Sequence, residues 1–408
     1  MSKSQEIVEK SEKFLANNYA PLPFATAWGE GAWYHDADGD QALDLLSGYS
    51  MNNFGIRHPR LVEAAKKQMD LLPTDPRCFF NNIRSEFAEV MTKFCGMDRV
   101  LPKVTGTEAV ESAIIIAHKY GYLVKSRLVT GGIPHDKAEI IACYDNFHGR
   151  TMGSRGMSTT QEYKYLFGPF APGFDWVPFN DPDALGRKIN KNTVAFFVEP
   201  IQGEGGINVP DEGYLKEVGK ICRKYNVLLV VDEVQTGFGR TGRDFAHQHE
   251  DVRPDLLIIG KALGGGIVPS SAVLGRNKVM NVISPGDDGS TFGGYPLACA
   301  VGIEVVNLMK EEKLSERAME MGSYFQSRLD QIKSPLIKEV RGKGLLIGIE
   351  LFDKAGSARR YCEELVRNGV LCNDTHKNVI RISPPLIIRR LEIDWALERI
   401  EKVLGGRS

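Results

Sequence analysis

The chain carries almost no net charge: 51 basic residues face 52 acidic ones among 408. With neither a positive balance nor a dense basic run, a nucleic-acid polyanion is not an expected partner. No continuous apolar stretch approaches the ~20 residues that span a bilayer, so no membrane partner is expected either. Seven cysteines (Cys78, Cys95, Cys143, Cys222, Cys299, Cys362 and Cys372) lie scattered without a C-x-x-C pair. That spacing offers neither a disulfide framework nor a metal site. The opening MSKSQEIVEK lacks an apolar signal core, and a cytoplasmic location is the expectation. Internal repeats and low-complexity tracts are absent. These absences leave small-molecule chemistry, in a chain long enough for two cores.

What is present is an alternation of apolar runs and helical patterns. Strand candidates at 99–102, 138–143, 193–199, 227–232 and 255–259 interleave with helical periods near 84–96, 107–124, 212–225 and 296–311. That order implies βαβ units, and so an α/β fold with a mainly parallel sheet. A helical lead (4–16) and an Asp-Gly hairpin signal at Asp38-Gly39 precede it. From 296 onward the texture changes. A long amphipathic segment (296–333), a helix near 356–368, a strand at 379–382 and a closing helix at 390–404 suggest a smaller α+β domain completed by the N-terminal segment. The division expected is 1–48, 49–295 and 296–408, with 126–137 as an exposed insertion.

Two strand ends carry the chemistry. Val227-Leu-Leu-Val-Val-Asp232 ends in a carboxylate, and Leu256-Leu-Ile-Ile-Gly260-Lys261 ends in an amine. Ligands in parallel sheets bind beyond the carboxyl ends of the strands. Alone, Lys261 also fits a lysine that opens an exposed loop. Paired with Asp232, it suits pyridoxal phosphate, whose aldehyde forms an imine with a lysine and whose ring nitrogen pairs with an acid. Thr105-Gly106-Thr107, between a strand and a helix, can offer free amides and hydroxyls to a phosphate, or simply cap the helix. Gly289-Ser-Thr291-Phe-Gly-Gly is a second hydroxyl cluster before a helix. In Asn146-Phe147-His148-Gly149-Arg150, an aromatic face to stack on a ring adjoins a guanidinium able to grip a carboxylate. A core phenylalanine beside a surface arginine reads equally from those letters, and His148 suits a structural hydrogen bond.

In this order the pieces resemble the class III, fold-type I pyridoxal-phosphate aminotransferases over nearly the whole chain, and within them the ornithine 5-aminotransferases. The motifs carrying the likeness are Asn18-Tyr19-Ala-Pro, Asn146-Phe-His-Gly-Arg-Thr151, Glu199-Pro-Ile-Gln-Gly-Glu204, Val231-Asp-Glu-Val-Gln235, Gly260-Lys-Ala-Leu-Gly-Gly-Gly266 and Gly289-Ser-Thr-Phe-Gly-Gly294. The resemblance implies a seven-stranded large domain with Lys261 as the Schiff-base lysine. It places Asp232 on the ring nitrogen, Gln235 near the ring hydroxyl, and Phe147 and Val234 on the two ring faces. Gly106 and Thr107 would hold phosphate, with Thr291 reaching it from the neighbouring subunit of a homodimer. Tyr19, Tyr49 and Arg150 would line the distal substrate pocket. Arg381 would be masked by Glu204 for one substrate and uncovered for the other.

The activity implied is transfer of the side-chain amine of L-ornithine to 2-oxoglutarate, giving glutamate and glutamate 5-semialdehyde, which cyclises to pyrroline-5-carboxylate. Another ω-amine donor (acetylornithine, 4-aminobutyrate or lysine), or a racemase or aminomutase on the same scaffold, is the alternative. The chain departs from the ornithine-type pattern at Met51, Asn52, Phe54, Ile56, Asp75, Pro76, Val104 and Tyr295. Those positions are expected near the pocket mouth or the phosphate cup.

Overall fold

A computed structural model describes residues 1–405. Its centre is a seven-stranded sheet: β1 (Arg99–Lys103), β2 (Glu139–Cys143), β3 (Phe174–Val177), β4 (Thr193–Val198), β5 (Leu228–Asp232), β6 (Leu256–Ile259) and β7 (Ser271–Gly275). The spatial order is β1-β7-β6-β5-β4-β2-β3. Neighbours from β3 through β6 are parallel, and β7 alone runs against the rest. Every residue of β4, β5 and β6 is buried. These strands therefore show unbroken apolar runs instead of alternation, as a sheet covered on both faces requires.

The sheet separates two cores. On one face helix α1 (Gly106–Leu123) packs against β4, β6 and β7 through Ala109, Val110, Ala113 and Ile116. On the other, the helix Pro296–Glu311 packs against helices Pro59–Leu71 and Asn82–Cys95. The amphipathic 296–333 segment is two helices, broken where Lys313 takes φ +49° before Leu314–Leu329. Strands Thr26–Glu30, Trp33–Asp36 and Gln41–Asp44 form an antiparallel sheet whose hairpin turns at Gly39, φ +103°. Val370–Leu371 joins that sheet in parallel to Leu43 and Asp44, so the two ends of the chain share a sheet. A third sheet, Ile337–Lys343, Leu346–Leu351, Val379–Ile382 and Asn373–Thr375, carries Arg381 on its inner strand.

Two strands of the central sheet escape the sequence pattern. β3 is short and interrupted by Asp175, and β7 opens on Ser271-Ala272, small residues that do not register as a strand. No described helix is long and apolar enough to cross a membrane.

Candidate active site

Asp232 is the last residue of β5, and Lys261 follows β6 by two residues, so adjacent parallel strands deliver both to the same sheet edge. They line one cavity of about 210 Å³ together with Gly106, Thr107, Phe147, His148, Glu199, Glu204, Val234 and Gln235. Lys261 sits at φ +45°, a left-handed backbone that a non-glycine residue adopts only when its surroundings impose it. Desolvation pulls its ammonium down to about 8, and the Glu204 carboxylate works in the opposite direction. Near pH 7 about a tenth of this amine is thus neutral and free to act as nucleophile or base, far more than in an ordinary lysine.

Asp232 is buried and directed by two contacts. Its Oδ1 accepts the Val234 N–H at 3.0 Å, and its Oδ2 lies 2.8 Å from His148 Nδ1. Burial opposes protonation of His148, but the bond to Asp232 and its charge outweigh it and raise the imidazole above its usual range. His148 Nδ1 therefore donates to Asp232 and holds its carboxylate in one orientation. Close by, Glu199 divides its carboxyl between the Phe147 N–H (3.0 Å) and the Gly203 N–H (3.3 Å). Burial pushes it up to about 7.

The cavity walls suit a flat ring. Phe147 and Val234 both line it, and Val234 also packs within 3.1 Å of where a Cβ on Gly106 would stand. Gln235 is held by a close approach: a Cβ at Gly203 would fall 1.5 Å from its Oε1. Its Nε2 is buried without a partner among the described residues, a donor left for a ligand. At the other end α1 begins at Gly106, with its first free amides toward the cavity. Thr107 lines the cavity, whereas Thr105 is exposed and its hydroxyl is spent in a capping box with Glu108. Thr291 is exposed on the loop ahead of helix Pro296–Glu311 and lines no part of this cavity. An amine, a fixed carboxylate, a vacant amide donor and a helix start fit the aldehyde, ring nitrogen, ring hydroxyl and phosphate of pyridoxal phosphate.

Beside this pocket lies a buried cation. Arg381 is 0% exposed, and its Nη1 donates to Glu204 Oε1 at 2.7 Å. Its Nε and Nη2 have no partner among the described residues. Burial opposes ionisation of Glu204, but Arg381 overrides it and holds the carboxyl below its ordinary range. The Tyr49 ring stands 4.9 Å from the Arg381 guanidinium and its hydroxyl accepts from Asn373 Nδ2 at 2.8 Å. Arg150 stacks on Tyr163 at 4.8 Å. Tyr163, Glu199 and Asn373 received no role from the sequence. Glu199 had a visible signal, an acid just past a buried strand, while Tyr163 and Asn373 are placed by tertiary contacts alone.

Tyr19 is 72% exposed, in the segment between the first helix and the first strand, and is not brought to the cavity wall. Phe54, which the pattern departure put near the pocket mouth, is buried in the main core instead, so that departure changes packing and not the lining. Ile56 bridges to Gly31. Asp75 is tied to Arg84, and Tyr295 precedes the first turn of helix Pro296–Glu311.

Comparison with known proteins agrees with this geometry. The chain is 49% identical over 406 residues to an ornithine aminotransferase of Geobacillus sp. (strain WCH70), covering 100% of both sequences. Among solved structures it superposes on an ornithine aminotransferase from Toxoplasma gondii, described with partial occupancy of PLP at its active site. That TM-score is 0.95 at 43% identity, covering 98% of this chain and 94% of the other. An acetylornithine aminotransferase from Elizabethkingia anophelis follows at TM-score 0.88 and 42% identity, covering 99% of each. The description of the family Aminotransferase class-III matches residues 14–404, and the chain belongs to that family.

Proposed function

We propose that this chain is a pyridoxal-phosphate-dependent aminotransferase moving the side-chain amine of ornithine to 2-oxoglutarate. The cofactor supplies an electron sink for charge developing at the substrate carbon. Lys261 would hold its aldehyde, and its Nζ, when free, would take a proton from the reacting carbon. A lowered pKa of about 8 suits that double duty. Asp232, oriented by His148, would keep the ring nitrogen protonated, Gln235 Nε2 would bind the ring hydroxyl, and Phe147 and Val234 would confine the ring. Gly106 and Thr107 hold the phosphate. Thr105, named for the same task, acts through the helix cap, and Thr291 completes the cup from a second subunit.

The choice of ornithine is carried by the Glu204–Arg381 pair. Ornithine presents a neutral carbon chain next to its reacting amine, while 2-oxoglutarate presents a carboxylate beside its keto carbon. With Glu204 on Arg381 the cation is masked and the first fits. With Glu204 turned away, the unpartnered Nε and Nη2 of Arg381 can take the second bidentately. Arg150 receives the distal carboxylate, and Tyr19 the α-amine of ornithine when its segment is packed by a partner subunit. Tyr49 shapes the pocket over Arg381. The test is Glu204→Gln: the kcat/KM ratio of ornithine to glutamate as donors falls about tenfold or more. An unchanged ratio contradicts the gate.

A second reading, acetylornithine as donor, is favoured by the close likeness to the Elizabethkingia protein; comparing kcat/KM for the two amines separates them. Arg381 and Asn373, which meet Glu204 and Tyr49, lie in a smaller domain built from 1–48 and 296–408, against a cofactor-binding domain at 49–295. A homodimer in the cytoplasm, with active sites shared across its interface, completes the reading.

A further inference from the structure

Behind the phosphate cup lies a polar cluster with no role in the chemistry above. Glu111 stands on α1 four residues after Thr107, on the same helix face. Across from it, Thr151 and Ser154 form the start of helix α2 (Met152–Met157). Thr151 Oγ1 donates a short hydrogen bond to Glu111 Oε1, and the Ser154 N–H donates to the same oxygen at 3.2 Å. Ser154 Oγ lies 2.8 Å from Thr151 Oγ1, and both hydroxyls lie 3.2 Å from Thr107 Oγ1. Two glycines make the room. A Cβ at Gly153 would fall 2.5 Å from both Glu111 carboxyl oxygens, and one at Gly149 would fall 2.3 Å from Thr107 Oγ1.

We propose that Glu111 is a positioning residue for the cofactor phosphate, acting through Thr151 and Ser154 to turn the Thr107 hydroxyl proton into the cavity. The proposal rests on the reading of the cavity as a pyridoxal-phosphate site. Three hydroxyls carry three protons. A carboxylate only accepts, so it fixes the Thr151 proton on Glu111. Thr151 can then only accept, and it takes the Ser154 proton across 2.8 Å, so neither hydroxyl has a proton left for Thr107, whose own proton has the charged phosphate as its strongest acceptor. Removing Glu111 releases the Thr151 proton to compete for Thr107 and loosens the start of α2 against α1.

Titration of apoprotein with pyridoxal phosphate and, separately, with pyridoxal tests this. Pyridoxal keeps the aldehyde and ring but lacks the phosphate. Glu111→Ala and Ser154→Ala each weaken pyridoxal-phosphate binding about tenfold, the scale of one charge-assisted hydrogen bond, and leave pyridoxal unaffected. Glu111→Gln keeps an acceptor oxygen and stays within about threefold of the parent. The phosphorus NMR signal of bound cofactor shifts in Glu111→Ala and not in Glu111→Gln. Equal losses for both ligands, or no loss in Glu111→Ala, overturn the assignment. Failure of the unaltered protein to give a borohydride-reducible adduct at Lys261 overturns both this and the site reading.

Discussion

At the scale of single residues, Lys261 concentrates the argument. Its amine titrates near 8 because burial penalises the charged form. Since the neutral amine attacks an aldehyde, the rate at which apoprotein captures pyridoxal phosphate rises with pH and levels off above about 8. An ordinary lysine would keep rising toward ~10.4. Stopped-flow absorbance across pH 6 to about 10 reads the difference directly. Lys261→Ala loses the imine absorbance and about 10³-fold or more of turnover, in line with removal of a positioned proton carrier.

Lys261 and Asp232 were legible in the sequence because each is the local punctuation of a buried strand. Glu204 and Arg381 are 177 residues apart and came only through family likeness, since no spacing rule joins them. Glu199 was visible as an acid just past a buried strand, but its division between the Phe147 and Gly203 amides could not be read. Its partners are backbone groups on two loops that only the fold brings together.

At the scale of elements, the turn Ser47–Ser50 is the most strained in the molecule's site. Ser47, Gly48, Tyr49 and Ser50 take φ of 48°, 53°, 60° and 75° in succession. Left-handed backbone costs a non-glycine residue about 1–2 kcal/mol. Here it turns the Tyr49 ring onto Arg381, with Asn373 securing the hydroxyl. Only one glycine marks the turn, so the sequence gives no warning of it. Ser47 is fully buried with an unpartnered hydroxyl. Ser47→Gly relieves the strain and that hydroxyl, against about 0.5–1 kcal/mol of added chain entropy. A net stabilisation of about 0.5–1 kcal/mol by denaturant melt is expected, with kcat unchanged.

The loop after β4 illustrates the opposite constraint. Gly203→Ala would drive a methyl into Gln235 Oε1, so it weakens cofactor binding while leaving the global melt within about 1 kcal/mol. Strands β4, β5 and β6 were readable because burial on both faces leaves continuous apolar runs. β3, interrupted by Asp175, and β7, which opens on the small Ser271-Ala272, were not.

At the scale of the whole molecule, large apolar side chains stand exposed on the 71–80 segment and on the loop that carries Thr291. Leu71 and Phe79 are largely exposed, Phe80 fully so, and Phe292 adjoins Thr291. Exposed apolar side chains of this kind are what a subunit contact would cover. If Thr291 serves the neighbour's phosphate, Lys261→Ala and Thr291→Ala subunits complement each other. In a mixed dimer one site carries both defects and the other carries none. Mixing the two inactive or weakened homodimers under exchange therefore restores cofactor affinity at one site per hybrid. Absence of recovery despite confirmed exchange places Thr291 in its own subunit's business.

The account as a whole stands on which amine displaces Lys261. Purified holoenzyme with 2-oxoglutarate and a panel of donors (ornithine, acetylornithine, 4-aminobutyrate and lysine) answers it, with glutamate and pyrroline-5-carboxylate measured together. The expected result is that ornithine gives the highest kcat/KM, with glutamate and pyrroline-5-carboxylate formed in equal amounts. Preference for another donor, or glutamate formed from ornithine without pyrroline-5-carboxylate, contradicts the account.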